Sequence, residues 1–335
     1  MSWKILLPED MRPEGKNFLS NQGHRLVLGK GTDTLRLMKD IKDADAVITR
    51  SAVISREVIH AGKNLKAIAC LGVGYDLVDL AAAEEAGIIV INCPDANSIA
   101  MTEITVFFML YCSRRYTAVR RDYIDDYENA GRGDDKEELW DKTLGIVGCG
   151  RVGSRVAKIC MDSFHMKVMA YDPYLPADAF PTGVQVIRKL PDLLAGSDFV
   201  SLHLSPHKGV RDQFRMEQFR QMKNTAYLIN TAYAGAVSEK DLFEACRDGV
   251  IAGAALDGVS KLPLDKQNPI LYMDNILISP RIGTATREAQ TRTALQAAMG
   301  LQEIYEGKKP TWEVKSENEN DYVIYHDQRK TERSR

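Results

Sequence analysis

The stretch Leu144–Ala157 constrains the fold of this chain more than any other part of the sequence. It begins as a short apolar run, which predicts a buried strand, turns on Gly148, Gly150 and Gly153, and continues with the apolar spacing of a helix. Gly148 allows the tight turn, Gly150 allows a ligand to approach the backbone closely, and Gly153 allows the helix to pack against the strand. The pattern therefore predicts a strand, a phosphate-binding turn and a helix.

Such a turn binds the pyrophosphate of a dinucleotide, because the first N–H groups of the helix, here at Arg151 and Val152, face the phosphates. A second apolar run, 167–171, ends in Asp172, where this motif places a carboxylate on the adenosine ribose hydroxyls. No Arg or Lys adjoins Asp172 to accept a 2′-phosphate, so NAD is predicted rather than NADP. The alternative is an accidental glycine-rich turn, which the strand, helix and acid together disfavour.

Composition excludes several other classes of function. The 335 residues are enough for two domains, and 44% hydrophobic with 27% charged residues is typical of a globular protein in water. The formal net charge of −2 gives no basic bias toward nucleic acid or a membrane surface. The six cysteines lack metal-site spacing, and we see neither a signal peptide nor a bilayer-spanning apolar run. We therefore expect a cytoplasmic protein without metal, disulfide, nucleic-acid partner or membrane partner.

Strand-like apolar runs alternate with helical segments along most of the chain, which predicts an α/β fold of parallel sheets covered by helices. One long helix is predicted from about Ala100 to Asp125, followed by a polar connector that extends to about Lys136. Residues 315–335 are highly charged and contain an aromatic patch at 322–325. We expect a mobile tail there, with an added strand or a partner-binding segment as the alternatives.

The spacing of four stretches resembles the D-isomer-specific 2-hydroxyacid dehydrogenase family. They are Gly72–Asp79, Asn92–Ser98 with Glu103, the glycine turn with Asp172, and Leu228–Ala232 followed by Gly253–Asp257. The resemblance implies two Rossmann-like domains, one flavodoxin-like and one NAD-binding, each with a parallel sheet. It places the NAD-binding domain at 104–287, inserted into a substrate domain formed by 1–103 and 288–335. It also implies a homodimer, joined largely through the cofactor domain and the long helix.

The family reduces a 2-oxo acid with NADH through an Arg, a His and a Glu, and this chain has none of them at the matching positions. Tyr233 stands at the position of the arginine that binds the substrate, Arg281 at that of the histidine acid–base, and Leu262 at that of the glutamate that orients the histidine. Hydride transfer to carbon requires a proton for oxygen from a group that titrates near neutrality. A substrate carboxylate in turn favours a forked cation.

We therefore predict an exchange of roles between two of these positions. Arg281 cannot act as an acid or base near pH 7, but its guanidinium can bind the substrate anion. Tyr233 can donate a hydrogen bond or a proton to the reacting oxygen, and Lys261 is a candidate for a positive charge that favours the phenolate. The alternative, weighted equally, is that Tyr233 and Arg281 only fill the cleft.

Further candidate residues follow from strand ends and from the resemblance. His203 ends a predicted strand beside the cofactor crevice and is a candidate for the missing acid, although such a histidine more often packs or bonds to backbone. Asp257 is expected, from the resemblance, to face the nicotinamide. The other expected cofactor contacts are Thr102, Thr231 and Ala232, and the expected substrate contacts besides Tyr233 and Arg281 are Gly74, Tyr75, Asn97 and Ser98. Asn97 and Ser98 have helix capping as their alternative role.

Two functions remain open from the sequence. The first is an NAD-dependent oxidoreductase that acts on a small anionic oxo or hydroxy compound with a non-standard catalytic set. The second is a catalytically inactive NAD-binding regulatory or sensor protein, which the loss of the Arg, Glu and His favours. A weaker third is a lyase or isomerase that recycles NAD internally. The intact glycines, Asp172 and Asp257 do not discriminate among them, because function depends on the site and not on the fold.

Overall fold

A computed structural model describes residues 2–128, 131–132, 136–205, 210–260 and 265–314. The predicted tail at 315–335 and the candidates Lys261 and Leu262 lie outside these residues. Contacts between Cα atoms divide the chain into two compact units. The first consists of the residues up to Ser98 together with those from Ala285 onward, and the second is Ile99–Thr284. Both boundaries fall a few residues before the positions expected from the sequence.

Strands and helices alternate along both units. The strands, in chain order, are β1 (Lys4–Leu7), β2 (Arg25–Leu28), β3 (Ala46–Thr49), β4 (Ala67–Cys70), β5 (Ile89–Ile91), β6 (Thr143–Val147), β7 (Lys167–Tyr171), β8 (Gln185–Val186), β9 (Phe199–Leu202), β10 (Tyr227–Asn230), β11 (Gly253–Asp257), β12 (Ile276–Ser279) and β13 (Glu313–Val314). The helices are α1 (Pro13–Asn21), α2 (Thr34–Asp40), α3 (Arg56–Ala61), α4 (Leu80–Glu85), α5 (Ser98–Ser113), α6 (Tyr116–Asp125), α7 (Arg151–Phe164), α8 (Leu190–Gly196), α9 (Met216–Phe219), α10 (Glu239–Arg247) and α11 (Arg287–Tyr305).

The first unit is a sheet in the order β13-β5-β4-β3-β1-β2, parallel except for the antiparallel edge strand β13. Helices α1 and α11 cover one face, and α2, α3 and α4 cover the other. Because both faces are covered, every residue of β3 and of β4 is buried, as continuous apolar strands require.

The second unit is a parallel sheet in the order β12-β11-β10-β9-β6-β7-β8. Residues of α5 and α7 form the core on one face, and residues of α8, α9 and α10 form it on the other. The order of the strands reverses at β6, and a crevice for a ligand forms outside the carboxyl ends of the strands at such a point. The predicted α/β fold with two parallel sheets is confirmed.

The prediction of one continuous helix from Ala100 to Asp125 is wrong. Arg115 has a φ of 49°, in the left-handed region, and its N–H donates to the carbonyl of Cys112, which closes α5. A left-handed residue cannot continue a right-handed helix, so α6 starts as a separate element. The two helices also differ in packing, because α5 contributes to the core whereas α6 buries none of its residues.

Candidate active site

Three glycines lie where β6 leads into α7, and each of them serves a separate steric purpose there. Gly148 has a φ of 89°, and a Cβ there would lie 2.7 Å from the carbonyl oxygen of His203. A Cβ on Gly153 would collide with the carbonyl oxygen of Gly148, so α7 can pack this closely only on a glycine. Apart from chain neighbours, no described residue has an atom within 4 Å of a Cβ built on Gly150. The start of α7 therefore has room beside it for a phosphate group.

The first turn of α7 supplies the donors for that group. The N–H of Ser154 donates to the carbonyl of Gly150 at 2.9 Å, which is where the hydrogen-bond ladder of the helix begins. The N–H groups of Arg151, Val152 and Gly153 precede this ladder and therefore have no acceptor inside the helix. Together with the positive end of the helix dipole, they form a site of the kind that binds a pyrophosphate.

Asp172 lies directly beside this turn, at the end of β7. Its carboxylate is buried and accepts hydrogen bonds from the N–H groups of Cys149, at 2.9 Å, and Tyr174, at 3.1 Å. The first of these donors belongs to the glycine turn itself, so the carboxylate and the phosphate site are held in one fixed arrangement. This arrangement fits a dinucleotide whose ribose hydroxyls bond to Asp172 while its phosphates bond to α7.

His203 follows β9 at the same edge of the sheet. Its Nε2 lies 3.0 Å from the hydroxyl of Ser201, and burial lowers the pKa of His203 to about 4. The imidazole is therefore mainly neutral at pH 7, and its remaining N–H is too weak an acid to replace an imidazolium as the proton donor. This observation counts against the predicted role of His203 as the catalytic acid and favours a hydrogen-bonding role.

The lowered pKa of His203 predicts a loss of stability in weak acid. An unfolded histidine has a pKa of about 6.5, so between pH 7 and pH 5 the unfolded chain binds a proton that the folded chain does not. We expect His203 to lower the free energy of unfolding by about 1–2 kcal/mol over this range. Denaturant titrations give the free energy of unfolding at both pH values. Its decrease from pH 7 to pH 5 should be smaller by this amount in His203→Gln than in the wild type. Equal decreases in the two proteins would contradict the prediction.

The end of β10 is organised by the side chain of Asn230. Its Oδ1 accepts from the N–H of Ala232 and its Nδ2 donates to the carbonyl of Tyr233, both at 3.1 Å. The hydroxyl of Thr231 shares a 2.7 Å hydrogen bond with Thr105 on α5, a helix that also carries the buried Thr102. Asn230 and Thr105 were not predicted as site residues, although a polar residue that ends an apolar strand, as Asn230 does, is a signal for such a role.

Tyr233 places its ring over Gly235. A Cβ on Gly235 would lie 2.6 Å from both Cζ and Oη of the tyrosine, so the ring can lie there only because residue 235 is a glycine. The side chain is half-buried, and its hydroxyl makes no hydrogen bond to any residue that the structure describes. The hydroxyl is therefore available to a ligand.

Arg281 lies in the loop that follows β12. Its φ of 57° is in the left-handed region, and its N–H donates to the carbonyl of Ser279 at 3.0 Å. The aliphatic part of the side chain passes over Gly258, where a Cβ would lie 2.7 Å from Cγ of Arg281. The residue is exposed, and its guanidinium forms no ion pair with a carboxylate in the described part of the chain. It is a cation that can bind an anionic ligand.

Asp257 has partners that the sequence analysis did not anticipate. One carboxylate oxygen accepts from the hydroxyl of Ser279 at 2.6 Å and from the N–H of Ile282 at 2.8 Å. The other accepts from the N–H of Gly283 at 2.9 Å. The carboxylate expected to face the nicotinamide thus holds the loop that carries Arg281.

The expected substrate contacts of the first unit follow the ends of β4 and β5. Gly74 and Tyr75 lie in the loop after β4, and the ring of Tyr75 packs against the core of that unit. Ser98 donates its hydroxyl to the carbonyl of Asp95 at 3.0 Å, which ties the start of α5 to the loop before it, and Asn97 beside it is half-buried. The side chain of Asn92 donates to the carbonyl of Val73 at 2.8 Å, which joins the two loops.

Among the described residues, no group of three or more His, Cys, Asp or Glu side chains is arranged to hold a metal ion. In that same part of the chain, no helix is both long enough and apolar enough to cross a membrane. All six cysteines are buried, and none of them forms a disulfide.

Comparison with known proteins decides the family. Residues 106–283 match the family described as D-isomer specific 2-hydroxyacid dehydrogenase, NAD binding domain. The hydroxypyruvate reductase of Thermotoga maritima is 33% identical over 301 residues, which are 88% of this chain and 95% of that protein. This chain belongs to the D-isomer-specific 2-hydroxyacid dehydrogenase family. The predicted resemblance is confirmed.

Two further proteins extend the comparison. The D-3-phosphoglycerate dehydrogenase of Methanocaldococcus jannaschii is 35% identical over 311 residues, 91% of this chain, but the match spans only 58% of that longer protein. The crystal structure of the TT0316 protein from Thermus thermophilus superposes with a TM-score of 0.83 at 31% identity, covering 93% of this chain and 99% of that one. The family match lies within the second unit, and the glycine turn with Asp172 fits the cofactor, so the prediction of NAD is confirmed.

Proposed function

We propose that this family member is an NAD-dependent oxidoreductase of CH–OH donors. Its substrate is a small anionic 2-oxo or 2-hydroxy compound, and its catalytic set is non-standard. One observation carries the proposal: the hydroxyl of Tyr233 and the guanidinium of Arg281 both lie at the carboxyl edge of the NAD-binding sheet without a partner among the described residues. Since β10 and β12 flank β11, the two strand ends are separated by about 10 Å, which is within reach of one small molecule.

The two side chains take different parts in the reaction. Bound NADH supplies the hydride that reduces the substrate carbon. Arg281 binds the anionic group of the substrate, because its forked guanidinium remains charged at every relevant pH. Tyr233 donates the proton that the reduced oxygen requires. His203 is neutral at pH 7 and contributes hydrogen bonds.

The alternative is an NAD-binding regulatory protein without turnover. The specific observation in its favour is the pKa of His203, which at about 4 removes this histidine as a replacement acid. Arg281, at the family's histidine position, cannot transfer a proton near pH 7. In this alternative the NAD site at the start of α7 senses the ligand, and Tyr233 and Arg281 only fill space.

Turnover with a defined set of oxo acids separates the two functions. The relatives suggest hydroxypyruvate and the 2-oxo form of 3-phosphoglycerate as the first compounds to test. NADH binding is measured first by fluorescence, with Asp172→Ala as the variant that should bind poorly. Oxidation of NADH upon addition of an oxo acid supports the enzyme. Binding without oxidation by any compound of the set supports the regulatory protein, and absence of binding contradicts both.

We also propose that the protein is a homodimer that covers an apolar face of α5 and α6. Phe107, Tyr111 and Tyr116 form a continuous row of rings with centroids 5.8 and 5.3 Å apart. Phe107 and Tyr116 are each 51% exposed, and Ile124 on α6 is 67% exposed. A contiguous apolar surface of this kind is typical of a protein interface.

If the row forms the dimer interface, one charged substitution in it should change the oligomeric state of the protein. Phe107→Asp places a charge at the exposed first ring of the row and should convert the dimer to a monomer in analytical ultracentrifugation. Leu35→Asp is the matched control, because Leu35 is 73% exposed on α2 of the first unit and outside this row. A wild-type protein that is monomeric at all concentrations would overturn this proposal.

We propose a cellular compartment for the protein as well. We place the enzyme in the cytoplasm, where a reducing environment keeps thiols unpaired. The six buried cysteines, none of which forms a disulfide, support this location. Fractionation of cells that produce the tagged full-length chain tests it.

A further inference from the structure

The loop 279–283 holds a non-glycine residue in a conformation that such residues rarely adopt. Arg281 has a φ of 57°, where its Cβ is crowded by the backbone. Strained positions of this kind persist only where the surrounding structure holds them. The contacts that hold Arg281 therefore decide where its guanidinium lies.

Asp257 supplies these contacts on both sides of Arg281. Its carboxylate accepts from Ser279 before the arginine, at 2.6 Å, and from the N–H groups of Ile282 and Gly283 after it, at 2.8 and 2.9 Å. The carboxylate is buried, so these charge-assisted hydrogen bonds are little weakened by water.

Two glycines leave the space that this arrangement needs. A Cβ on Gly283 would lie 2.6 Å from the carboxylate of Asp257, and a Cβ on Gly258 would lie 2.7 Å from Cγ of Arg281. The loop around Arg281 thus combines one buried acceptor, three donors and two glycines at positions where no side chain would fit.

We infer that Asp257 is a positioning residue for Arg281, and that it thereby determines the affinity of the site for the substrate anion. This inference rests on the proposed function, in which Arg281 binds that anion. A carboxylate is required, because the amide of an asparagine has only one acceptor oxygen and its NH₂ group would face the N–H of either Ile282 or Gly283. Released from these bonds, Arg281 leaves the left-handed conformation and its guanidinium moves away from the edge of the sheet.

Oxalate binding to the full-length protein with NADH tests the inference, because oxalate resembles a small 2-oxo acid anion. With NADH kept saturating for each protein, Asp257→Asn should weaken oxalate binding by about tenfold or more in calorimetry. Arg281→Gly removes both the cation and the strain, so adding Asp257→Asn to it should weaken oxalate no further. Asp198→Asn is the matched control, because Asp198 also accepts a backbone N–H and a side chain, from Thr143 and Lys223, at the opposite end of the sheet.

A second measurement does not depend on any ligand. The amide hydrogens of Ile282 and Gly283 should exchange slowly in the wild type and at least tenfold faster in Asp257→Asn. Unchanged exchange, unchanged oxalate affinity in Asp257→Asn, or additive effects in the double variant would each overturn the inference. Failure of oxalate to bind the wild type, or wild-type affinity in Arg281→Gly, would instead contradict the proposed function, and the exchange rates would still decide whether Asp257 positions the loop.

Discussion

Tyr233→Phe is expected to reduce kcat by about 100-fold or more, because a positioned proton donor contributes factors of about 10² to 10⁴. The substitution removes only the hydroxyl, which has no partner among the described residues. The ring can remain over Gly235, so the free energy of unfolding should change by less than about 0.5 kcal/mol. The measurement is steady-state oxidation of NADH with the oxo acid that gives the highest rate.

Two controls separate loss of chemistry from loss of the site. NADH affinity, measured by fluorescence, should be the same in Tyr233→Phe and in the wild type, because the groups proposed to hold the phosphates and the ribose lie at the start of α7 and at Asp172. Tyr272→Phe is the matched substitution, because Tyr272 is 73% exposed and its hydroxyl donates to the carbonyl of Lys266, outside the proposed site. Wild-type turnover in Tyr233→Phe would rule out this residue as the proton donor.

Arg281→Gln is expected to raise KM for the anionic substrate by about 10- to 100-fold, because hydrogen bonds to a charged group contribute about 1.5–3 kcal/mol. Glutamine removes the charge and is shorter than arginine but remains polar, and residue 281 is exposed, so folding should be little affected. KM of Arg281→Lys should fall between those of the wild type and Arg281→Gln, since lysine has the charge but not the forked geometry. KM and kcat are measured separately for each protein.

The ionic-strength dependence provides a further check on this substitution. An exposed guanidinium that binds an anion is screened by salt, so KM of the wild type should rise between about 0.05 and 0.5 M salt. KM of Arg281→Gln should rise less. A variant with the KM and salt dependence of the wild type would show that Arg281 does not contact the substrate.

The parts of the site that the sequence predicted depend on local signals. Gly148, Gly150 and Gly153 each have a steric reason that acts within one turn of chain, and the same holds for the apolar run before them. Asp172 follows the next strand directly, so its place at the turn results from the pairing of two neighbouring parallel strands. For these reasons the fold and the cofactor were predictable without tertiary information.

Other features depend on contacts that are remote in sequence. The break at Arg115 was missed because α5 and α6 together form one helix-like pattern, and only the left-handed φ of one residue separates them. Thr105 was not predicted because the hydrogen bond that links it to Thr231 spans 126 residues. The exchange of roles between Tyr233 and Arg281 stays a prediction, and Lys261 lies outside the described residues.

Residue order within single strand–turn–helix units is enough to identify an α/β protein with an NAD-binding turn and to indicate its family. The partners of Asp257 depend on the tertiary structure, because its three donors lie 22, 25 and 26 residues further along the chain. The lowered pKa of His203 depends on it too, because burial results from the packing of the whole unit around the imidazole. The carboxylate and the imidazole have the same chemistry in any sequence, and their surroundings in the folded chain determine how each can act.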